Sequence, residues 1–143
     1  SSVLFDETQA LSQSQNENKH ILLYFTGYAC VNCRKIQHGV LYDLEVTESI
    51  IQNFIFKPIY VDDRNELPEK EQIEVTLDKR TRKLKTIGDK HIYYQMSRFN
   101  VSAQPYFVIL NSDNEIIGTA SYNDNTVNKF LTFLNESLTE TTK

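Results

Sequence analysis

The segment "HILLYFTG", His20 to Gly27, constrains this chain more than any other stretch. It is a short, continuous apolar run, and Gly27 stops it. A strand exposed on one face would alternate polar and apolar residues, and a buried helix would run longer. The run therefore reads as a strand covered on both faces, as in a sheet with parallel pairing and helices above and below. With 143 residues the chain is long enough to build such a core as one domain, 1–143. Its 40% hydrophobic and 11% aromatic content fits a folded chain.

The remaining elements supply the required layers. Phe5 to Lys19 reads as a polar amphipathic helix with Asp6 as N-cap and Leu11 facing inward. After Gly27, "RKIQHGVLYDLEV" has helical spacing at Ile36, Val40, Leu41 and Leu44, and a second helical piece starts near Thr47-Glu48. "FIFKPIYVDD" is the next strand. Arg64 to Asp89 is densely charged, acidic first and basic later, and reads as an exposed hairpin insertion whose arms attract. "DKHIYYQMSRFNV" is a helix with Ile92, Met96 and Phe99 inward, "SAQPYFVIL" and "IIGTASY" are strands joined by a turn, and Asn123-Asp124 caps a last helix. Alternating elements of this kind predict an α/β fold, with a mixed central sheet and helices on both faces.

The only two cysteines, Cys30 and Cys33, lie between the buried strand and the following helix. Residues three apart share a helix face, so the sulfurs can reach bonding distance. The free N–H groups and dipole of the first turn favour a Cys30 thiolate, and Arg34 and Lys35 add positive potential. Cys30 would attack a substrate disulfide, and Cys33 would resolve the mixed disulfide. Zinc would need two of the scattered histidines His20, His38 and His91 to converge on the pair, and haem attachment would need a histidine where Arg34 stands. The redox reading is preferred, with no metal and no organic cofactor beyond the Cys30–Cys33 couple. Pro105 opens a late strand; with a cis peptide bond, the Gln104 backbone would stand beside the cysteines and could pair with an extended substrate.

The net charge of −4 argues against a nucleic-acid or anionic-membrane partner. No apolar run spans a bilayer, so direct membrane insertion of this piece is not expected. The chain opens Ser1-Ser2 without Met, which suggests a processed or excised piece.

Taken together, "YFTGYACVNCRK", "YVDD", "LPE", "TIG" and "FNVSAQPYFVIL" resemble the thioredoxin superfamily over essentially the whole chain. More narrowly, they are similar to the C-terminal periplasmic domains of DsbD-type thiol:disulfide interchange proteins, or to stand-alone relatives. The resemblance implies a thioredoxin-like three-layer sandwich, Cys30 and Cys33 as redox pair, and Pro105 as the cis-proline. It also implies a periplasmic or otherwise extracytoplasmic reductant, taking electrons from a membrane-embedded donor and passing them to protein disulfides. An oxidant or isomerase, or a peptide-binding module without turnover, shares the same residues. The sequence departs from the family at three places. Tyr24 replaces a buried acid, Gln37 replaces a second acid, and Ala29 stands where thioredoxins carry tryptophan, with Tyr28 one step earlier as a substrate-side residue. Asp62 and Asp63, at the end of a neighbouring strand, are the candidates to move or tune the Cys33 proton alongside Tyr24. The charged hairpin is expected to flank the site and select partners by charge.

Overall fold

In a computed structural model describing residues 3–139, all seven residues of β1 (His20–Thr26) are buried, as the unbroken apolar pattern demands. Ser1 and Ser2, on which the expectation of a processed start rests, lie outside the described residues, as do residues 140–143. β1 runs parallel to β2 (Phe54–Tyr60) on one side. On the other it pairs antiparallel with β5 (Tyr106–Leu110), which in turn pairs antiparallel with β6 (Ile116–Ser121), giving the order β2-β1-β5-β6.

Period-2 alternation along β1 divides the core between the two faces. Leu22 and Tyr24 pack with Ile36, Val46, Ile50, Phe130 and Leu134. These come from α2 (Val31–Ile36), α3 (Leu44–Asn53) and α5 (Val127–Thr139). Ile21, Leu23 and Phe25 pack with Ala10 of α1 (Glu7–Glu17) and with Tyr94 and Phe99 of α4 (Ile87–Phe99). The result is the mixed central sheet with helices on both faces. Local signals set the helix ends. Asp6 accepts the Gln9 N–H at 3.1 Å, and Asn18 closes α1 in the left-handed conformation. Thr86 and Asp89 form a reciprocal capping box on α4, and Asn100 ends it.

Several boundaries differ from the sequence reading. The helix after the cysteines is short: α2 passes at Gln37 into one π-helical turn, Gln37–Leu41, and stops. Asp43 then caps α3 by accepting the Glu45 and Val46 N–H groups, so α3 starts at Leu44, ahead of Thr47. The expected hairpin over Arg64–Asp89 shrinks to β3 (Glu74–Leu77) and β4 (Arg80–Lys83), because Leu67, Leu84 and Ile87 are drawn into a small core with Val75. Its contacts run to α4, through Arg82–Asp89 at 3.3 Å and Glu71–Lys90 at 2.8 Å. Asp124 bonds back to the Ser121 N–H within a 3-10 turn, and α5 is capped instead by Thr126 Oγ1, which accepts the Lys129 N–H. In α4 the inward stripe is rotated. Ile92, Met96 and Phe99 are half-buried, whereas His91 and Gln95 are buried, where the Tyr60 carbonyl at the end of β2 and the Ala103 carbonyl give them hydrogen-bond partners.

Candidate active site

β1 ends at Thr26, and the three residues Gly27, Tyr28 and Ala29 carry the chain to Cys30, the N-cap of α2. Cys30 is partly exposed and Cys33, in the first turn, is fully buried. They form a disulfide with Cα atoms 5.2 Å apart. The Cys33 N–H points at Cys30 Sγ at 3.2 Å. This is one of the unsatisfied donors of a helix start, aimed where a thiolate would form on reduction.

The opposite wall is the loop before β5. The Gln104–Pro105 peptide bond is cis, and the Gln104 carbonyl oxygen lies 3.8 Å from Cys30 Sγ. Buried Gln95 of α4 holds this loop from below. Its Nε2 donates to the Ala103 carbonyl at 3.0 Å, and its Oε1 accepts from Gln104 Nε2 at 2.9 Å. Gln95 was not singled out in the sequence, although it lies three residues after Ile92 and four before Phe99, on the face that turns inward.

Asp62 stands beside the approach to Cys30, since parallel pairing places the end of β2 next to the end of β1. Its two carboxylate oxygens accept the Tyr28 N–H at 2.9 Å and the Ala29 N–H at 3.0 Å, one bond each. It thus shapes the loop that presents the cysteine. Gly27 leaves room for it, because a Cβ there would lie 3.2 Å from Asp62 Oδ2. Asp63 is buried and accepts from the backbone N–H and side-chain amide of Asn65, both at 2.9 Å. Tyr28 is exposed and stacks on Tyr60 with ring centroids 4.1 Å apart, giving the mouth of the site an aromatic edge.

Tyr24 lies buried beneath the pair, stacked on Phe107 at 4.6 Å. Its hydroxyl donates to the Cys33 carbonyl at 3.4 Å. Burial pushes its phenol above the ordinary value, against the hydrogen bond from Thr26 and the charge of Arg34. Gln37 lies in the π-helical turn, lining an apolar groove of about 350 Å³ with Tyr24 and the outer strand β2. The histidines do not join the cysteines. His20 is buried at the start of β1, His38 packs edge-on to Tyr42, and His91 bonds the Tyr60 carbonyl through Nδ1.

This fold and this strand–CxxC–helix corner define a thioredoxin-like protein. Residues 8–135 match the thioredoxin-like domain family, and the chain belongs to it. No curated protein matches the sequence. Among solved structures, the fold is similar to "DsbH Oxidoreductase", at 17% identity and a TM-score of 0.69, covering 96% of this chain and 84% of that one. It is also similar to a disulphide isomerase from Xylella fastidiosa Temecula1, at 17% identity and a TM-score of 0.57, covering 99% and 98%. The oxidised C-terminal domain of DsbD from Neisseria meningitidis gives 14% identity and a TM-score of 0.56, covering 94% and 99%.

Proposed function

We propose that the chain is a thiol-disulfide oxidoreductase that reduces extracytoplasmic protein disulfides through a Cys30/Cys33 dithiol cycle. The observation that carries this reading is the asymmetry of the pair. Cys30 is accessible, capped by the Cys33 N–H and faced by the Gln104 carbonyl, whereas Cys33 is sealed beneath it. An accessible sulfur at a helix start is the one ready to attack, and a buried partner one turn away is placed to resolve. In the reduced state the Cys30 thiolate attacks a substrate disulfide, forming a mixed disulfide and releasing one substrate sulfur. Cys33 then attacks Cys30 Sγ, expels the second substrate sulfur and leaves the Cys30–Cys33 bond. The substrate chain is held by the Gln104-Pro105 backbone on one side and by the Tyr28 edge on the other. The cycle needs no metal or organic cofactor.

The reductant direction, the extracytoplasmic compartment and a membrane-embedded electron donor follow from the resemblance to DsbD-type domains. Among the described residues no helix is long and apolar enough to cross a membrane, so such a donor would be a separate domain or partner. The test is insulin reduction together with the equilibrium potential against glutathione. A potential near that of thioredoxin, about −270 mV, supports the donor role, and one near about −120 mV makes the chain an oxidant. Cys33→Ser should trap substrates on Cys30 as mixed disulfides, and Cys30→Ser should trap none. A Cys33→Ser variant that traps nothing, in a protein that also leaves insulin intact, would reduce the chain to a binding module.

A further inference from the structure

Within the dithiol cycle proposed above, the buried Cys33 thiol must lose a proton before it can attack, and the position under the pair holds a phenol instead of an acid. Arg34 folds back under the end of β1, where its Nη2 donates to the Gly27 carbonyl at 3.0 Å and to Thr26 Oγ1 at 3.3 Å. The same Gly27 carbonyl accepts the Cys30 N–H at 3.3 Å, so one acceptor joins the guanidinium to the turn carrying the nucleophile. Thr26 and Tyr24 are fully buried, and the Tyr24 hydroxyl bonds the Cys33 carbonyl. The Arg34 Nε is buried without a partner, and among the described residues no carboxylate pairs with the guanidinium.

Arg34 is half-buried, with Nε shielded and two neutral oxygens accepting from the guanidinium, so a nearby anion would offset its charge. Among the described residues none of the surrounding carboxylates forms an ion pair with Arg34, and buried Asp63 accepts from Asn65. Lys35 adds a second positive charge on the same helix. Asp62 is engaged by the Tyr28 and Ala29 amides. Asp124, on the turn packed against α2, bonds the Ser121 N–H. Tyr24 is held in its neutral form by burial. The loop Ser102 to Pro105 brings no charged side chain. The anion that does arise here during turnover is the Cys33 thiolate.

We infer that Arg34 is a positioning residue for the exchange, whose charge at the end of β1 favours the Cys33 thiolate and offsets the lack of a proton-accepting acid. Cys33 gives its proton to water, and its thiolate attacks Cys30 Sγ of the mixed disulfide. The bond from Cys30 to the substrate sulfur breaks, and that sulfur leaves and takes up a proton. The dithiol loses two electrons and the substrate disulfide gains them. Thioredoxin-type acids move the proton; Arg34 makes its departure easier and leaves the transfer to water.

The experiment follows both thiols of the reduced protein by 13Cβ chemical shift against pH in wild type, Arg34→Gln and Arg34→Lys. Arg34→Gln should raise the Cys33 pKa by about one unit or more, with a smaller change at Cys30, whose thiolate the helix start also supports. Arg34→Lys should recover most of the shift. A one-unit rise lowers the thiolate fraction about tenfold, but nucleophilicity rises with a Brønsted slope of about 0.4–0.5, so resolution at neutral pH should slow roughly threefold. An unmoved Cys33 pKa in Arg34→Gln overturns the inference. So does an Arg34→Lys variant that behaves like Arg34→Gln, which would make the role one of shape alone. Arg34→Met, which keeps the aliphatic stem, takes the place of Arg34→Gln should that variant fail to fold. Wild-type insulin reduction separates the two levels: a wild type that never cycles overturns the proposed function, whereas one that cycles with an unmoved pKa overturns only the assignment to Arg34.

Discussion

Gln104 Nε2 donates to Gln95 Oε1 at 2.9 Å, so a buried side chain of α4 holds the residue whose carbonyl faces Cys30. Gln95→Leu removes this bond and leaves the Ala103 carbonyl without its 3.0 Å donor. The expected cost is about 0.5–1.5 kcal/mol of stability, the usual net worth of a hydrogen bond, because Ala103 is exposed and water can replace the lost donor. KM for a protein disulfide should rise while turnover of a small aromatic disulfide stays close to wild type, because in the proposed cycle only the former is held by the Gln104 backbone. Steady-state kinetics on both substrates check this.

Asp62 makes two hydrogen bonds to consecutive amides of the loop before Cys30. Asp62→Ala should speed hydrogen exchange at Tyr28 and Ala29 and cost about 1 kcal/mol, since these bonds are partly exposed. Exchange measured residue by residue by NMR is the check. Unchanged protection at both amides would show that the carboxylate does not hold the loop.

Buried His91 accepts the Phe5 N–H at Nε2, 3.0 Å, and bonds the Tyr60 carbonyl through Nδ1, 2.7 Å. An imidazole that accepts at one nitrogen must be neutral, so Nδ1 carries the proton and donates. Burial holds its pKa below the ordinary 6.5, and Lys90 adds to this, while the Tyr60 carbonyl and Asp63 act in the opposite sense. The folded state therefore binds fewer protons than the unfolded state as pH falls. The contribution is fully present above about pH 6.5 and is lost as pH falls through the lower folded value. Urea unfolding at about pH 7.5 and about pH 5.5 should show a larger loss for wild type than for His91→Gln. His20, also depressed by burial, contributes in the same direction to both proteins.

Two glycines should respond with opposite signs to alanine. At Gly88, a Cβ would lie 2.7 Å from the Val61 and Asp63 carbonyl oxygens, so backbone must move. Gly88→Ala should destabilise by about 1–3 kcal/mol despite better helix propensity. At Gly39 a Cβ meets nothing within 4 Å. Gly39→Ala should stabilise by about 0.4–1 kcal/mol through the unfolded chain. Thermal or urea unfolding of the two variants side by side tests the pair.

Much of the scaffold was legible because it rests on local chemistry. The apolar run to Gly27 required a strand covered on both faces, and it lies between two helical layers. Cys30 and Cys33 share the first turn of a helix, as their spacing requires. The boundaries were less legible. Asp43 is a cap only because the chain must turn after the π-helical segment, and four apolar residues of the expected hairpin segment, Leu67, Val75, Leu84 and Ile87, form a small core. The roles of polar side chains were hidden more deeply. Asp62 was legible as an acid at a strand end, but its bonds to amides 33 and 34 residues away were not.

What the sequence alone determined is the chemistry: two thiols one helical turn apart after a buried strand, a tyrosine in place of an acid, and a proline before a late strand. These follow from short-range spacing and residue type. Only the tertiary structure decided which groups surround the thiols. Gln95 reaches the loop before Pro105, Asp62 reaches the loop before Cys30, and Arg34 turns back under β1 with no carboxylate paired to it among the described residues. Each of these depends on which strand ends lie side by side and which helix face turns inward. Those choices are made by burying the whole core at once, so no short window of sequence contains them.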